Sequence, residues 1–321
     1  MSTPAISVLI PCYNQARYLA QTLESVLAQK NVSFEVIISD DASTDDTAII
    51  AERFASADPR VRFQRHQKNL GMASNWNWCL DQARGEFIKY VFGDDYLTAP
   101  DSLEQLLAPL LADPLVTLST SARLIVNADT KPVATTQGFP GTCRLSGKEV
   151  ITHCLLENRN LIGEPSAVLF RRSTARPFDG SFRQLIDVEL WYHLLTVGDF
   201  YYIDKPLCAF RRHELQQTAL NQPGRLGEKE GIRLHLYYKT LLDKYLAEGG
   251  SKHLVRQAQF QTLYYAGKAK VRSAEHAANE AELRKRLKAC WYMIYWVHHR
   301  LTKPISNLRK AMGIPERGLT I

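Results

Sequence analysis

The chain has 321 residues, 45% apolar and 23% charged, which is ordinary globular composition with enough length for a substantial core. Disordered, collagen-like and repeat-array chains are excluded on those proportions. The formal net charge of +7 directs attention to acidic partners, nucleotides or an anionic membrane surface. Nucleic acid is not expected as a partner, because charge alone speaks for it. Six cysteines, at 12, 79, 143, 154, 208 and 290, form no CxxC pair, so no zinc site or dithiol motif is signalled and a reducing cytoplasm fits.

The N-terminus enters a strand-like run without the basic region and long apolar stretch of a secretory signal. The longest apolar stretch, Ala289 to Val297, is too short to span a bilayer. A cytoplasmic protein, at most peripheral on the inner face of the membrane, is therefore expected.

In chain order, Ile6 to Ile10 reads as a buried strand stopped at Pro11, and Leu19 to Gln29 has helical apolar spacing. Phe34 to Ser39 reads as a second strand ending at Asp40 and Asp41. Thr44 to Phe54 reads as a helix with Ser43 or Thr44 as N-cap. Val61 to Gln64 is a third strand, Trp76 to Ala83 a helix broken at Gly85, and Glu86 to Phe92 a fourth strand. This alternation predicts βαβ units around a mostly parallel sheet, with ligands at the strands' carboxyl ends. Three such ends carry polar groups: Pro11 to Asn14, Asp40 to Ser43, and Gly93 to Asp95.

Further strands are expected within Val116 to Val133, at Val168 to Phe170 and at Phe200 to Ile203, with a helix at Val188 to Leu195. Segments Asn69 to Asn77 and Thr135 to Gly163 read as specificity loops. Beyond a boundary near residue 220 the spacing is helical, in Gly227 to Leu246, His253 to Ala269 and Ala274 to His299.

Asp94 and Asp95 are adjacent carboxylates at a strand end, suited to Mg²⁺ or Mn²⁺ bridging to a diphosphate; a turn capping a helix near Asp101 is the plainer reading. Asp40 and Asp41 are placed either to accept a nucleobase N–H or to form an acidic helix N-terminus, the role preferred for Asp45 and Asp46. Asp187, in an apolar stretch, reads either as a general base of raised pKa or as an N-cap. His213 reads as a metal or phosphate contact, or as simply exposed.

Taken together, Ile6-Ser-Val-Leu-Ile-Pro-Cys-Tyr-Asn14, Val36 to Thr47, Asn69-Leu-Gly71, Asn77, Gly85-Glu-Phe-Ile88, Gly93-Asp-Asp95, Gly163-Glu-Pro-Ser166, Phe170-Arg-Arg172, Ile186 to Trp191 and Arg211-Arg-His213 resemble, in order, the motifs of the family 2 glycosyltransferases. The resemblance covers roughly residues 5 to 215. It implies an α/β fold: a GT-A-type, Rossmann-like nucleotide-binding domain with a mostly parallel central sheet (1–220), followed by a basic, aromatic-rich helical C-terminal region (221–321). It implies an inverting enzyme that moves a sugar from a nucleotide diphosphate sugar, UDP-linked by family habit, to an acceptor hydroxyl on a glycan or lipid-linked acceptor. Bacterial surface polysaccharide or glycolipid synthesis is the expected setting.

By the same resemblance, Asp187 is the base, and Pro11, Tyr13, Asn14, Asp40, Asp41, Asn69 and Asp94 surround the nucleotide. Glu164, Pro165 and Trp191 serve the sugars, Arg211 and His213 the diphosphate, and Asp95, Asp94 and His213 the metal, Mn²⁺ or Mg²⁺. Three positions depart from the family pattern: Phe92 replaces the first aspartate of the metal motif, Ile186 the acid before the base, and Asn75-Trp76 the usual small residue and arginine before Asn77. Phe92 also admits a rival reading, a catalytically silent nucleotide-sugar-binding module. A Gly-rich phosphate loop is absent from Pro11 to Arg17 and no GxGxxG follows the first strand, against a pyrophosphorylase or a dehydrogenase. Between Ala281 and Lys310, basic residues flank Trp291 to Val297; this fits an interfacial segment on an anionic membrane, or a helix packed on the catalytic domain or on a second subunit of a homo-oligomer.

Overall fold

A strand buried on both faces reads as a mostly apolar run, and β1 (Ile6–Cys12) and β2 (Phe34–Asp40) are buried at every position, Ser7, Glu35, Ser39 and Asp40 included. The computed structural model describes residues 3–157, 159–214, 216, 226–238 and 241. β1 lies in the middle of the sheet, paired in parallel with β2 on one side and with β4 (Phe87–Tyr90) on the other, in registers Ile6↔Phe34 and Ile6↔Phe87. β3 (Val61–Arg65) continues the parallel order beyond β2.

The second half joins through β9 (Leu169–Arg171), antiparallel to both β4 and β6 (Val116–Asn127). β10 (Asp199–Arg212) runs parallel to β6, and the short β5 (Tyr96–Leu97) closes the edge against it. The strand order is β3-β2-β1-β4-β9-β6-β10-β5, with β7 (Pro132–Thr136) on β6 and β8 (Cys143–Leu145) on β10. The sheet is thus mixed and mostly parallel, as the alternation of elements implies.

Period-two alternation sends Ile6, Val8 and Ile10 into one core and Leu9 into the other. On the first face lie α1 (Leu19–Leu27), α2 (Thr47–Ala57) and α4 (Ser102–Ala112), through Leu19, Leu23, Ala51, Leu103 and Leu106. On the second lie α3 (Met72–Gln82), α5 (Gly147–Glu157) and α6 (Ile186–Val197), through Cys79, Ile151, Leu155, Leu190 and Leu194. α7 (Leu226–Tyr237) adds Leu234 to this second core, followed by Tyr238.

Several boundaries differ from the sequence reading. α2 starts at Thr47 with Asp46 at its N-cap, because Ser43 and Thr44 are engaged with the neighbouring loop. α3 begins at Met72, and α5 occupies part of the stretch read as a loop, with Val150, Ile151, Cys154 and Leu155 on its buried face. β10 runs through Arg212, well past Ile203. Of the expected C-terminal helical region, α7 is described; the basic aromatic segment from Ala281 to Lys310 lies outside the described residues. Among the described residues, no helix is long and apolar enough to cross a membrane.

Gly85 shows why the turn before β4 has no side chain. A Cβ there would stand 2.5 Å from Ser7 N and 2.7 Å from Ile6 C, both in the central strand. Ser7 Oγ accepts the Gly85 N–H (2.8 Å) and donates to the buried Glu35 Oε1 (2.7 Å), so the turn is bolted to β1. Since neither backbone atom can yield, Gly85→Ala is expected to cost about 2–3 kcal/mol in urea unfolding; an unchanged midpoint would show that the turn relaxes freely.

Candidate functional site

The chain leaves β1 for one edge of the sheet and returns to β4 on its other side, so the crevice at the carboxyl ends of β1, β2 and β4 is a topological switch point. Asn14 takes a positive φ of 53°; its N–H donates to Ser43 Oγ (2.8 Å) and its Oδ1 accepts Thr44 N–H (2.8 Å). Asp45 accepts the N–H groups of Ala16 and Thr47, each at 3.0 Å. Although its partial burial works the other way, the Thr47 hydroxyl and these N–H groups hold Asp45 below the usual carboxylate range. It therefore serves the start of α2, as read from the sequence.

Asp40 and Asp41 are both buried, and protein donors occupy both. Asp40 Oδ1 accepts the Ser43 N–H (3.1 Å) and hydroxyl, while its Oδ2 lies 3.4 Å from Arg65 Nε without a hydrogen bond. Asp41 accepts Leu70 N–H (2.6 Å) and Gly71 N–H (3.1 Å), and Asn69 Nδ2 donates to its carbonyl (3.0 Å). Asp41 and Asn69 thus shape one wall of the crevice, and Gly71 supplies the required φ of 85°. Pro11 is buried within β1, whereas Tyr13 is 49% exposed where the strand ends. His66, which the sequence reading missed, meets Ser39 Oγ through Nε2 (2.9 Å) beneath this wall.

After β4 the chain turns through Phe92 to Asp95, closed by Asp95 N–H to Phe92 O (3.0 Å). Asp94 Oδ2 stands 2.9 Å from His213 Nε2. Asp95 is 1% exposed; its Oδ1 accepts Arg211 N–H (3.0 Å) and its Oδ2 has no hydrogen-bond partner. Burial foremost, then the charge of Asp94, pushes Asp95 well above the carboxylate range, against the Ser166 hydroxyl and the Arg211 N–H.

Arg211, read from the sequence as a diphosphate contact, lies near the end of β10. Its side chain is buried, with Nε on Asp94 O (2.8 Å), Nη1 on Thr130 Oγ1 (2.8 Å) and Asn127 O (3.3 Å), and Nη2 on Gln21 Oε1 (2.7 Å). The guanidinium also lies 4.3 Å from the Tyr18 ring centroid. Four of its five guanidinium N–H groups thus meet protein acceptors, and Arg211 braces the aspartate turn. His213 lies beside Asp94, packed against Tyr18.

Two of the departures from the family pattern prove to be one. The Phe92 and Trp76 rings lie 4.8 Å apart, with Phe178 edge-on to Trp76 at 5.2 Å. An aromatic pair fills the place of the missing acid and base. Asn77 pins the Phe178 loop with two hydrogen bonds, 2.7 and 3.0 Å.

On the facing side, Gly163 turns the chain at φ 124°, followed by Glu164, whose Oε2 pairs with Arg123 Nη1 at 2.8 Å. Arg123, a lone charge in the otherwise uncharged β6, was legible as an oddity but went unread. Trp191, read from the sequence as serving the sugars, is fully enclosed, and its Nε1 donates to Gly163 O (3.1 Å). Pro165 is likewise buried and begins the short 3-10 turn Pro165–Ala167.

Asp187 sits in the first turn of α6, partly buried. Burial, with the negative charges of Glu164 and Glu230, lifts its carboxyl to about 7 against the pull of the Val188 N–H. Glu164 also raises Asp95, which places Asp187, Glu164 and Asp95 within one electrostatic neighbourhood. A carboxyl poised near neutrality beside a crevice is a general-base candidate. Among the described residues, no three His, Cys, Asp or Glu side chains enclose a metal by themselves.

The chain belongs to glycosyl transferase family 2, whose model matches residues 7–175, more than half its length. Chondroitin synthase of Escherichia coli is 29% identical over 225 residues, 68% of this chain and 30% of the synthase. An uncharacterized protein of Mycobacterium tuberculosis is 36% identical over 221 residues, 65% of this chain and 67% of its own. The chain therefore spans under a third of the synthase. The fold is that of Staphylococcus aureus TarS residues 1–349 in complex with UDP-GlcNAc (TM-score 0.61, 18% identity, 85% of this chain and 78% of that one). It is also that of the mannosyltransferase PcManGT of Pyrobaculum calidifontis in complex with GDP-Man and Mn²⁺ (TM-score 0.53, 19% identity, 88% and 80%). The protein is a glycosyltransferase, with polysaccharide synthases among its relatives.

Proposed function

We propose that the protein transfers a sugar from a UDP-sugar to the hydroxyl of a glycan or lipid-linked acceptor, with inversion, in the building of a bacterial surface polysaccharide or glycolipid. The observation that carries this reading is Asp187, a carboxyl lifted to about 7 by burial with Glu164 and Glu230 nearby, Glu164 acting also on Asp95 of the aspartate turn. Asp187 takes the acceptor's proton as its oxygen attacks the anomeric carbon, and the nucleoside diphosphate leaves on the opposite side. Glu164, held by Arg123, lines the acceptor side, and Tyr13 packs on the base above the Asp41–Asn69 wall.

The donor set fits a hard divalent cation. Asp94 offers a carboxylate and His213 an imidazole, and the nearby Asp95 Oδ2 is a buried oxygen without a donor. Asp94 and His213 would hold Mg²⁺ or Mn²⁺, and the ion would supply charge neutralisation of the leaving diphosphate. GDP-Man and Mn²⁺ in the PcManGT complex, and UDP-GlcNAc in the TarS complex, support this donor chemistry. Peripheral attachment through the basic segment Ala281 to Lys310 suits a lipid-linked acceptor.

The test is nucleoside diphosphate release from a panel of UDP-, GDP- and dTDP-sugars with Mn²⁺. Slow hydrolysis of one UDP-sugar is expected. Binding of diphosphates without turnover of any donor, even with lipid acceptors present, would favour a silent binding module.

A further inference from the structure

The first turn of α6 carries Asp187, yet the N-cap residue Leu185 receives no cap from its own side chain. The cap comes from a separate element. Glu230 on α7, 5% exposed, accepts three successive backbone N–H groups: Arg183 on Oε1, and Gln184 and Leu185 on Oε2, each at 2.8 Å. A carboxylate that gathers several N–H donors makes short, strong bonds and fixes the backbone that bears them.

The rest of α7 grips the same stretch. Arg233 donates to Ser181 Oγ (2.6 Å) and Ser181 O (3.2 Å) and lies 4.1 Å over the Phe182 ring. Tyr238, just past the helix, meets Tyr192 of α6 edge-on at 5.1 Å. Glu230 lies beyond the matched residues 7–175 and beyond Arg211-Arg-His213, the last of the segments that resemble the family's motifs.

We propose that Glu230 is a positioning residue for sugar transfer: it fixes the turn that aims Asp187 at the acceptor hydroxyl and sets a negative charge beside it. This rests on the reading of Asp187 as the base. The charged groups acting on Asp187 are Glu164 from the turn before β9 and Glu230 from α7, both acidic, with the Val188 N–H from its own helix opposing them. Neighbouring cations are engaged elsewhere: Arg123 with Glu164, Arg176 with Glu189, and Arg233 with Ser181 and Asp179. The two acidic side chains add to burial in holding the Asp187 proton, so a neutral residue at 230 releases it at lower pH.

The test compares wild type, Glu230→Gln, Glu230→Asp, Arg233→Ala and Asp187→Asn as full-length proteins, following transfer or donor hydrolysis across pH. Rates are taken per donor-binding site, counted by UDP titration, so that a partly unfolded preparation does not imitate a slow enzyme. Glu230→Gln is expected to lower kcat by ~10- to 100-fold through a misaimed base, with donor KM little changed and the acidic limb of the profile moved to lower pH. Glu230→Asp keeps the charge, so its limb stays in place while kcat falls less. Arg233→Ala loosens the grip of α7 but leaves the limb where it is. Wild-type kcat and limb in Glu230→Gln, or the same limb shift in Arg233→Ala, would overturn the proposal. Wild-type turnover in Asp187→Asn would instead remove Asp187 as the base, whatever Glu230→Gln does.

Discussion

Asp187→Asn is expected to reduce sugar transfer by ~10³-fold, within the range a positioned general base contributes, while UDP binding stays as in wild type. Asparagine keeps the shape and the hydrogen bond from the Val188 N–H but cannot take a proton from the acceptor. The wild-type rate should fall on the acid side of about pH 7, because burial, with Glu164 and Glu230, raises the carboxyl to that value and the protonated form is inactive. Stability carries the opposite sign. A carboxyl near 7 when folded, against an ordinary value of 3.8, binds a proton that the unfolded chain has already released. Folded stability therefore declines as pH rises from about 4 to 7, where the site is forced to ionise. Asp187→Asn removes that cost, so its melting temperature at pH 8 should equal or exceed that of wild type. A variant that is inactive and also less stable at pH 8 would mark Asp187 as a structural cap rather than a base.

The parts of this molecule legible from sequence are those where one residue type has one use. The short β-rich runs at Ile6 to Ile10 and Phe34 to Ser39 read as buried strands despite Ser7 and Glu35 within them, and their polar ends located the crevice. Asp94, His213 and Asp187 drew attention because each follows or interrupts an apolar run, although a turn, an exposed position and an N-cap were equally open to them from sequence. What escaped depends on long-range contacts. The contacts of Arg211 with Thr130, Gln21 and Tyr18 join segments far apart in the chain, and no local pattern announces them. The indole of Trp191 donates to Gly163, across 28 residues of chain, which its own helix does not reveal. Phe92 and Trp76 read as two separate losses, although each makes sense only against the other. Glu230 sits in a helix of ordinary polar composition, where nothing local signals that its carboxylate caps a turn 45 residues away.

Asp94→Ala is expected to abolish metal-supported turnover, a loss on the order of 10²- to 10³-fold, comparable to removing one preorganised electrostatic contact to a leaving group. The variant loses the carboxylate paired with His213 at 2.9 Å but keeps the brace beneath it, since Arg211 holds residue 94 by its backbone carbonyl and Asp95 by its carboxylate. The fold should therefore survive, and unfolding at neutral pH should shift little. His213→Ala leaves one charged ligand in place and should raise the Mn²⁺ concentration for half-maximal activity by ~10-fold or more, with a partial return of rate at high metal. Chelation of the wild type should match Asp94→Ala and be reversed by Mn²⁺ or Mg²⁺. Metal-independent activity in the wild type, unchanged by chelation, would mean that the Asp94–His213 pair serves the turn alone. Leaving-group charge would then have to be met by exposed cations such as Arg212, on the strand beside His213. The separation of the two carboxylates decides what each variant retains: Asp187→Asn should still bind the nucleotide with its metal, and Asp94→Ala should still show a poised base without a leaving group to match it.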